Sequence, residues 1–200
     1  MPFQGIADDT CSVYPSTAGD YQRLLEAVLS SSEQLAGIVH LGDCSAENDV
    51  PEDEASLQET IDTGVGSLFH LTKAIASTVA SSVALCGVTT CGQAVSSTSQ
   101  LNPAGACSWS LAQVAATELS AVDVHRVDLC SADVDSGDAE DLLWTELCSE
   151  HSPSALAIRG RKRFVSRLEP FEVPEQARDT QPLLADGVYL ITGGQGHVGS

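Results

Sequence analysis

The sequence GVYLITGGQGHVGS, residues 187–200, decides how the rest of the chain is interpreted. Residues 188–191 are a short apolar run that predicts a buried strand, and Gly194, Gly196 and Gly199 follow it with the spacing Gly-x-Gly-x-x-Gly. A strand that leads into this pattern is typical of the first βα unit of a dinucleotide-binding domain. Glycine is needed there because a side chain would keep the backbone away from a pyrophosphate, which the first N–H groups of the next helix bind.

The loop after the predicted strand contains the candidate cofactor-binding residues. They are Thr192, Gly193, Gly194, Gln195, Gly196, His197 and Gly199. The sequence reaches its last residue before the helix that would complete the βα unit, so we expect only the start of a catalytic domain. A single pattern of this kind also occurs in ordinary glycine-rich turns, so the remainder of the chain must decide between the two interpretations.

The overall composition is that of an acidic globular protein. The chain has 200 residues, of which 42% are hydrophobic, and its formal net charge is -19. Nucleic acids and anionic membranes are not expected as partners, because binding to phosphates requires a basic surface. No run of about 18 apolar residues predicts a membrane-spanning helix. Five of the nine basic residues lie between Arg159 and Arg167, which indicates either the solvated surface of two strands or an anion-binding strip.

The seven cysteines are spread over the chain, at positions 11, 44, 86, 91, 107, 130 and 148. Their number is odd, no pair has the spacing Cys-x-x-Cys, and residues 1–9 do not resemble a signal peptide. Reduced, scattered thiols in a cytoplasmic protein are the simplest interpretation. His40 with Cys44, or Cys86 with Cys91, could be imagined as metal ligands, but four converging ligands are not visible and no metal site is expected.

Hydrophobic periodicity divides the chain into alternating strands and helices. Strands are predicted at residues 36–41, 83–88 and 122–129, a hairpin through Gly160 at residues 155–158 and 163–168, and helices at residues 21–29, 56–81, 106–119 and 138–148. Asp20 is predicted to cap the first helix, and Gly64 and Gly66 to let the second helix pack closely against a sheet. Residues 170–186 contain three prolines and no periodicity, which predicts a linker. The alternation predicts an α/β fold with a parallel sheet.

Six segments, in this order, resemble the ketoreductase region of type I modular polyketide synthases. They read AGIVHL, SLFHLTKAIA, TTCGQAV, SWSLAQVAATEL, ALAIRGRKRFVSRLEP and YLITGGQGHVG, and the likeness covers nearly the whole chain. That region is related to the ketoreductase of animal fatty acid synthase and to the short-chain dehydrogenase/reductase class. Ser110, Ala112 and Gln113 stand where the family more often has Gly, Gly and Arg. His197 stands where the family usually has a small residue.

The resemblance implies that the chain contains a structural part and the start of a catalytic part. Residues 1–169 would form a non-catalytic structural subdomain with a truncated Rossmann-like fold, and residues 170–186 a linker. Residues 187–200 would be the first strand and glycine loop of an NADP-binding catalytic Rossmann subdomain. The complete enzyme would use NADPH to reduce the β-keto group of an acyl chain on an acyl carrier protein. Its partners would be that carrier-bound substrate and the remaining synthase domains.

The catalytic residues of such a reductase are not found in this sequence. The family needs a tyrosine followed four residues later by a lysine, which lowers the tyrosine pKa so that the phenol can protonate the carbonyl as hydride arrives. Tyr14, Tyr21 and Tyr189 are followed at that position by Ala, Leu and Gly. We therefore assign no catalytic residue and expect no reductase activity from this chain alone.

Two other functions remain open. One is a scaffold half that pairs with a separately encoded catalytic half, which predicts exposed apolar surface. The other is a degenerate nucleotide-binding module, which predicts measurable affinity for NADP(H).

Thr89, Thr90 and Asp43 are interpreted as polar loop residues, and no Ser–His–Asp triad is predicted.

Overall fold

The structure, a computed structural model, describes residues 4–7, 10–31, 35–44, 51, 53–79, 82–96, 99, 101–149, 151–172, 184, 186–190 and 192. The chain divides into two compact units, Met1–Ser166 and Arg167–Ser200. All helices and strands of the described residues belong to the first unit.

Strands and helices alternate along most of the first unit. The strands are β1 (Gln4–Ala7), β2 (Thr10–Ser12), β3 (Gly37–Asp43), β4 (Val83–Thr90), β5 (Val122–Leu129), β6 (Ala155–Arg159) and β7 (Lys162–Phe164). The helices are α1 (Ala18–Ser31), α2 (Glu54–Ile61), α3 (Ser67–Thr78), α4 (Pro103–Glu118), α5 (Ser131–Asp135) and α6 (Ala139–Leu147). A π-helical turn, Asp62–Gly66, joins α2 directly to α3.

Five of the strands form one sheet in the order β3-β4-β5-β6-β7. β3 to β6 are parallel, whereas β7 pairs with β6 in the antiparallel direction. β4 and β5 pair along their full length, from Val83 opposite Val122 to Thr90 opposite Leu129. β1 and β2 form a separate antiparallel pair. The mostly parallel sheet with helical crossovers confirms the predicted fold class.

The two faces of the sheet have separate hydrophobic cores. On one face, α1, α3 and α4 pack against Val83 and Leu85. On the other face, Leu142 of α6 packs against Val88 and other side chains of that face. Side chains alternate along a strand, which is why odd-numbered and even-numbered residues of β4 belong to different cores. α6 covers only part of its face, and Ala84 is exposed although β4 lies inside the sheet.

The long helix predicted at residues 56–81 forms as α2 and α3 with the π-helical turn between them. Gly64, in that turn, is buried against the end of β3, where an added Cβ would collide with the Asp43 carboxylate. Its predicted role in close packing is confirmed. An added Cβ on Gly66 would instead lie 3.0 Å from the Ile61 carbonyl oxygen of its own helix. The atoms closest to that Cβ belong to Ile61 and Asp62, and none belongs to the sheet. The prediction that Gly66 allows close packing against the sheet is therefore wrong.

The first helix starts before its predicted cap. α1 begins at Ala18, so Asp20 lies in the first turn and is not the N-cap residue. Its carboxylate accepts hydrogen bonds from the Tyr14 N–H at 3.1 Å and from the Arg23 guanidinium at 3.2 Å. A carboxylate in this turn still stabilises the helix through the dipole.

The hairpin turns at Gly160, as predicted. Gly160 and Arg161 have φ angles of 53° and 65°, which a two-residue turn of type I′ requires. β7 ends at Phe164, opposite Ala157, and not at residue 168. β7 is an edge strand with a single neighbour, and its ladder ends at this pair, so residues 165–168 do not extend the strand.

The strand predicted at residues 188–191 is not formed in the described residues. Val188, Tyr189 and Leu190 belong to no strand, and Val188 is fully exposed. A strand needs hydrogen bonds to a neighbour, and no described residue of Arg167–Ser200 provides them. Residue 191 and most of the predicted linker at residues 170–186 lie outside the described residues.

Candidate functional site

The candidate site is the edge of the sheet at which the parallel strands β3 to β6 end. In open α/β sheets, ligands bind outside the carboxyl ends of the strands. Four successive strands each bring one polar side chain to this edge: Asp43, Thr89, Asp128 and Arg159. The first three are buried and Arg159 is partly exposed. The edge is therefore polar and mostly buried, with water reaching it at Arg159.

Asp128, which has no solvent exposure, is the centre of this edge. Its Oδ1 accepts hydrogen bonds from Thr89 Oγ1 at 2.5 Å and from the Gly92 N–H at 2.7 Å. Its Oδ2 accepts hydrogen bonds from the Gln93 N–H at 3.1 Å and from the Arg159 guanidinium at 2.5 Å. Four donors thus occupy the roughly four acceptor sites of one carboxylate.

Arg159 connects β6 to the end of β5 and to the loop after β4 through hydrogen bonds. Besides its ion pair, it donates to the backbone carbonyls of Asp128 and Gln93, each at 2.9 Å. The loop after β4 also packs closely against α4. An added Cβ on Gly92 would lie 2.8 Å from the carbonyl carbon of Gly105 in that helix. The loop conformation is therefore fixed by packing and by hydrogen bonds.

Chemically, this arrangement is an anion-binding cradle that is already filled. Adjacent backbone N–H groups together with an arginine are the groups that proteins use to bind phosphates and carboxylates. Here the Gly92 and Gln93 N–H groups and Arg159 bind the chain's own Asp128. A second anion would have to displace this carboxylate.

Asp43 lies at the end of β3, beneath the π-helical turn. Burial, the larger effect, raises the pKa of its carboxyl to about 6, and the neighbouring Ser108 hydroxyl acts in the opposite direction. Asp43 Oδ2 and Ser108 Oγ nevertheless make no hydrogen bond within the described part of the chain, so the hydroxyl lies beside the carboxyl without good geometry. Asp43 is thus a carboxyl that binds a proton more readily than an exposed one.

His40 and Ser67 form a buried pair whose composition is that of a nucleophile and its base. His40 Nε2 lies 2.6 Å from Ser67 Oγ. The Ser67 hydroxyl proton, however, is donated to the backbone carbonyls of Thr63 and Gly64, at 2.5 and 2.8 Å. When the Ser67 hydroxyl donates to either carbonyl, His40 Nε2 carries the proton of the shared hydrogen bond. Burial lowers the pKa of His40 to about 4. With its hydroxyl bonded to its own helix, Ser67 has the contacts of a structural residue, and this arrangement favours a structural role for the pair.

Of the predicted cofactor-binding residues, the structure describes Thr192, which lies in an exposed turn of the second unit. The other six lie outside the described residues: Gly193, Gly194, Gln195, Gly196, His197 and Gly199. Their assignment to a cofactor stays a prediction.

The interpretation of Thr89, Thr90 and Asp43 as loop residues is wrong. They lie in β4 and β3 and are buried, because both strands run two residues further than their apolar segments. Sequence reasoning also missed Asp128 and Arg159. Their positions could have been used, because each stands at or beside the end of a predicted strand. Neighbouring parallel strands end at the same edge of a sheet, so the two side chains could have been expected to lie close together.

Three arginines of the basic strip pair with acidic side chains of the first unit. Arg163 Nε lies 2.7 Å from Glu146 Oε1, and Arg161 lies 3.7 Å from Asp138. Together with the Arg159 ion pair, these contacts favour a solvated and internally paired surface over an anion-binding strip.

The described residues contain no group of three or more His, Cys, Asp or Glu side chains placed to hold a metal ion. None of their helices has both the length and the apolar character that crossing a membrane requires.

Comparison with known proteins gives one family. A family model described as "Beta-ketoacyl synthase-like, N-terminal" matches residues 1–143. No curated protein matches the chain.

Three solved structures superpose on this chain. A structure described as the adenylation, ketoreductase and pseudo Asub multidomain structure of a keto acid-selecting NRPS module superposes with a TM-score of 0.78 at 23% identity, over 100% of this chain and 16% of that one. The first ketoreductase of the tylosin PKS gives a TM-score of 0.58 at 20% identity, over 76% of this chain and 30% of that one. A short-chain dehydrogenase from Streptomyces avermitilis gives 0.54 at 15% identity, over 74% and 69%. At these identities the likeness establishes the fold, and the chain spans less than a third of the first two proteins.

Proposed function

We propose that this chain, which belongs to the beta-ketoacyl synthase-like, N-terminal family, supplies the structural half of a ketoreductase. Residues 1–169 would be the non-catalytic subdomain, residues 170–186 a linker and residues 187–200 the start of the catalytic subdomain. The complete enzyme would reduce a β-keto group on a carrier-bound acyl chain in the cytoplasm. A synthase-type family and a ketoreductase-like fold are both consistent with a segment of a polyketide or fatty acid synthase.

The filled edge of the sheet is the observation that carries this proposal. A cofactor-binding Rossmann domain keeps backbone N–H groups at this edge for its ligand. In this unit the Gly92 and Gln93 N–H groups donate to the Asp128 carboxylate instead, and Arg159 donates to the same carboxylate. The chain has the architecture of a reductase domain without a place for the cofactor in the sheet that it forms.

NADPH is the proposed cofactor of the complete enzyme. The glycine loop, residues 192–199, would bind its pyrophosphate through backbone N–H groups, since the glycines leave the backbone accessible. Thr192 is exposed, which is compatible with this role. The cofactor would supply the hydride, and this chain would supply only part of its binding surface.

The test compares this chain with the same chain extended by the coding sequence that follows it. Each protein is incubated with NADPH and a β-ketoacyl thioester, and NADPH absorbance is followed. We expect turnover from the extended protein alone. Turnover by residues 1–200 would contradict the proposal, and so would an extended protein that folds, contains a Tyr-x-x-x-Lys and remains inactive.

A scaffold half that pairs with a separate catalytic half is the second candidate. It is favoured by an exposed apolar groove beside α6, where Val39 and Trp144 reach the surface. It predicts a stable complex with a separately encoded reductase. A degenerate nucleotide-binding module has less support, because the filled edge leaves it only the glycine loop; a measured NADPH affinity of this chain in the micromolar range would favour it.

A further inference from the structure

A groove of about 490 Å³ runs along the sheet face that α6 covers in part. Its floor is formed by Gly37 and Val39 of β3 and by Ala84 of β4. Its wall is the end of α6, with Trp144 and Leu147. The groove lies on the opposite face from α1, α3 and α4, away from the Asp128 cradle.

Most of the exposed side chains of the groove are apolar. Trp144 is 69% exposed, and Val39 and Leu147 are each 42% exposed. Parallel sheets normally have both faces covered, because their strands are apolar on both sides. An exposed tryptophan beside an uncovered central strand therefore indicates a surface that is buried in the working protein.

The dimensions of the groove suit one helix. Its floor spans two neighbouring strands, which is about 10 Å at a strand spacing of roughly 4.8 Å. An α-helix with its side chains has a diameter of about 10 Å and packs against neighbouring helices at 8–10 Å. Gly37 and Ala84 have small side chains, which lets a helix approach the sheet closely.

The charge of the groove restricts what can bind. No lysine or arginine lines it, and Glu146, which does, is buried and already paired with Arg163. Asp123 is exposed beside it on β5, opposite Ala84 in the ladder. Glu140 and Asp141 are exposed on α6, four and three residues before Trp144. A second copy of this chain, itself of net charge -19, would bring like charges together.

We propose that this groove docks one amphipathic helix of a partner segment, apolar on the face towards the sheet and rich in lysine or arginine on its flanks. The apolar residues of the partner would cover Val39, Ala84 and Trp144, and its basic flanks would face Glu140 and Asp141. The proposal concerns the partner of the structural half and is independent of whether the complete enzyme reduces a β-keto group.

The test uses the 200-residue chain carrying Trp109→Phe, so that Trp144 is the one remaining tryptophan. The probe is a synthetic 18-residue peptide with leucine and alanine on one helical face and lysine on the flanks. A second peptide has the same apolar face and glutamate in place of lysine. We expect saturable binding of the lysine peptide with a shift of Trp144 emission to shorter wavelength, and binding at least about tenfold weaker for the glutamate peptide.

A matched pair of substitutions locates the binding surface. Val39→Lys places a charge in the groove, and Val114→Lys places the same charge on α4, where valine is 54% exposed. We expect Val39→Lys to weaken binding about tenfold or more and Val114→Lys to change it less than about twofold. Circular dichroism spectra and melting temperatures check that both variants fold.

Three results would overturn the proposal. The first is equal weakening by Val39→Lys and Val114→Lys, since attraction between net charges would then explain the binding. The second is equal affinity for both peptides, or no saturable binding of either. The third is a dimer of this chain that Val39→Lys dissociates, because the groove would then be occupied by a second copy.

Discussion

The Asp128 cradle gives the sharpest prediction about stability. Replacing Asp128 with asparagine keeps the shape of the side chain and removes its charge. Each carboxylate oxygen accepts two hydrogen bonds, so whichever position the new NH2 group takes, it meets two donors. In addition, Arg159 loses the only carboxylate bonded to it in the described structure.

The structure sets the magnitude. Removing one member of a buried ion pair costs about 3–5 kcal/mol, because the other charge stays buried without compensation. The Arg159 side chain keeps 19% of its exposure, so water can partly solvate it and the lower end of that range applies. Unsatisfied donors at the NH2 group add about 1 kcal/mol or more. We expect Asp128→Asn to lower the free energy of unfolding by about 4 kcal/mol, a large fraction of the ~5–15 kcal/mol of a typical domain.

The measurement is urea-induced unfolding of the 200-residue chain, followed by far-ultraviolet circular dichroism. Asp138→Asn is the matched control. Asp138 is half exposed and lies 3.7 Å from Arg161, so this substitution should cost less than about 1 kcal/mol. Arg159→Met and the double variant Asp128→Asn/Arg159→Met complete a double-mutant cycle, in which the two effects should be strongly non-additive.

The reasoning fails if Asp128→Asn costs no more than Asp138→Asn. It also fails if the two effects in the cycle simply add, because the carboxylate and the guanidinium would then stabilise the fold independently. An unchanged m value is required for both comparisons, since a change would mean that the unfolded ensemble differs between variants.

Further predictions concern Gly64 in the π-helical turn and two buried titratable residues, Asp43 and His40. Gly64→Ala should destabilise the fold by about 1–3 kcal/mol because its Cβ collides with Asp43, whereas Gly19→Ala, with open space around it in α1, should be neutral or slightly stabilising by urea unfolding. Burial raises the pKa of Asp43 from 3.8 to about 6, so its contribution to stability falls as pH rises through that interval. Burial lowers the pKa of His40 from 6.5 to about 4, so its contribution falls as pH decreases from 6.5 to about 4. In His40→Gln only Asp43 remains, so the urea midpoint should fall as pH rises. In Asp43→Asn only His40 remains, so the midpoint should rise with pH. If both variants keep the pH profile of the unsubstituted chain, the pKa directions of both residues are contradicted.

The order of elements could be predicted because it follows from local patterns. The strand at residues 122–129 has the predicted bounds, and the helix and strand that precede it are displaced by only a few residues. Apolar periodicity is a property of neighbouring residues, so it is visible in one sequence. The ends of strands were less predictable, since Asp43 and Thr90 extend β3 and β4 with polar residues that only pairing with a neighbour makes part of a strand.

The site was less predictable than the fold because its partners are far apart in the chain. Asp128 binds Thr89, Gly92 and Arg159, and the last of these lies 31 residues away. No local pattern connects such residues, and only the parallel order of the strands brings them to one edge. The glycine loop shows the opposite case, since its pattern is strong locally but the strand predicted before it finds no partner among the described residues.

The filled cradle also explains why a sheet of this kind can persist without a ligand. Parallel strands with loops leading into helices gather backbone N–H groups at one edge, and buried N–H groups that lack an acceptor are costly. An enzyme can leave such groups to water or to its cofactor. In this chain Asp128 accepts the Gly92 and Gln93 N–H groups, while Arg159 neutralises the charge that this carboxylate brings into the interior. One carboxylate therefore stabilises the fold and uses the donors that an anionic ligand at this position would need.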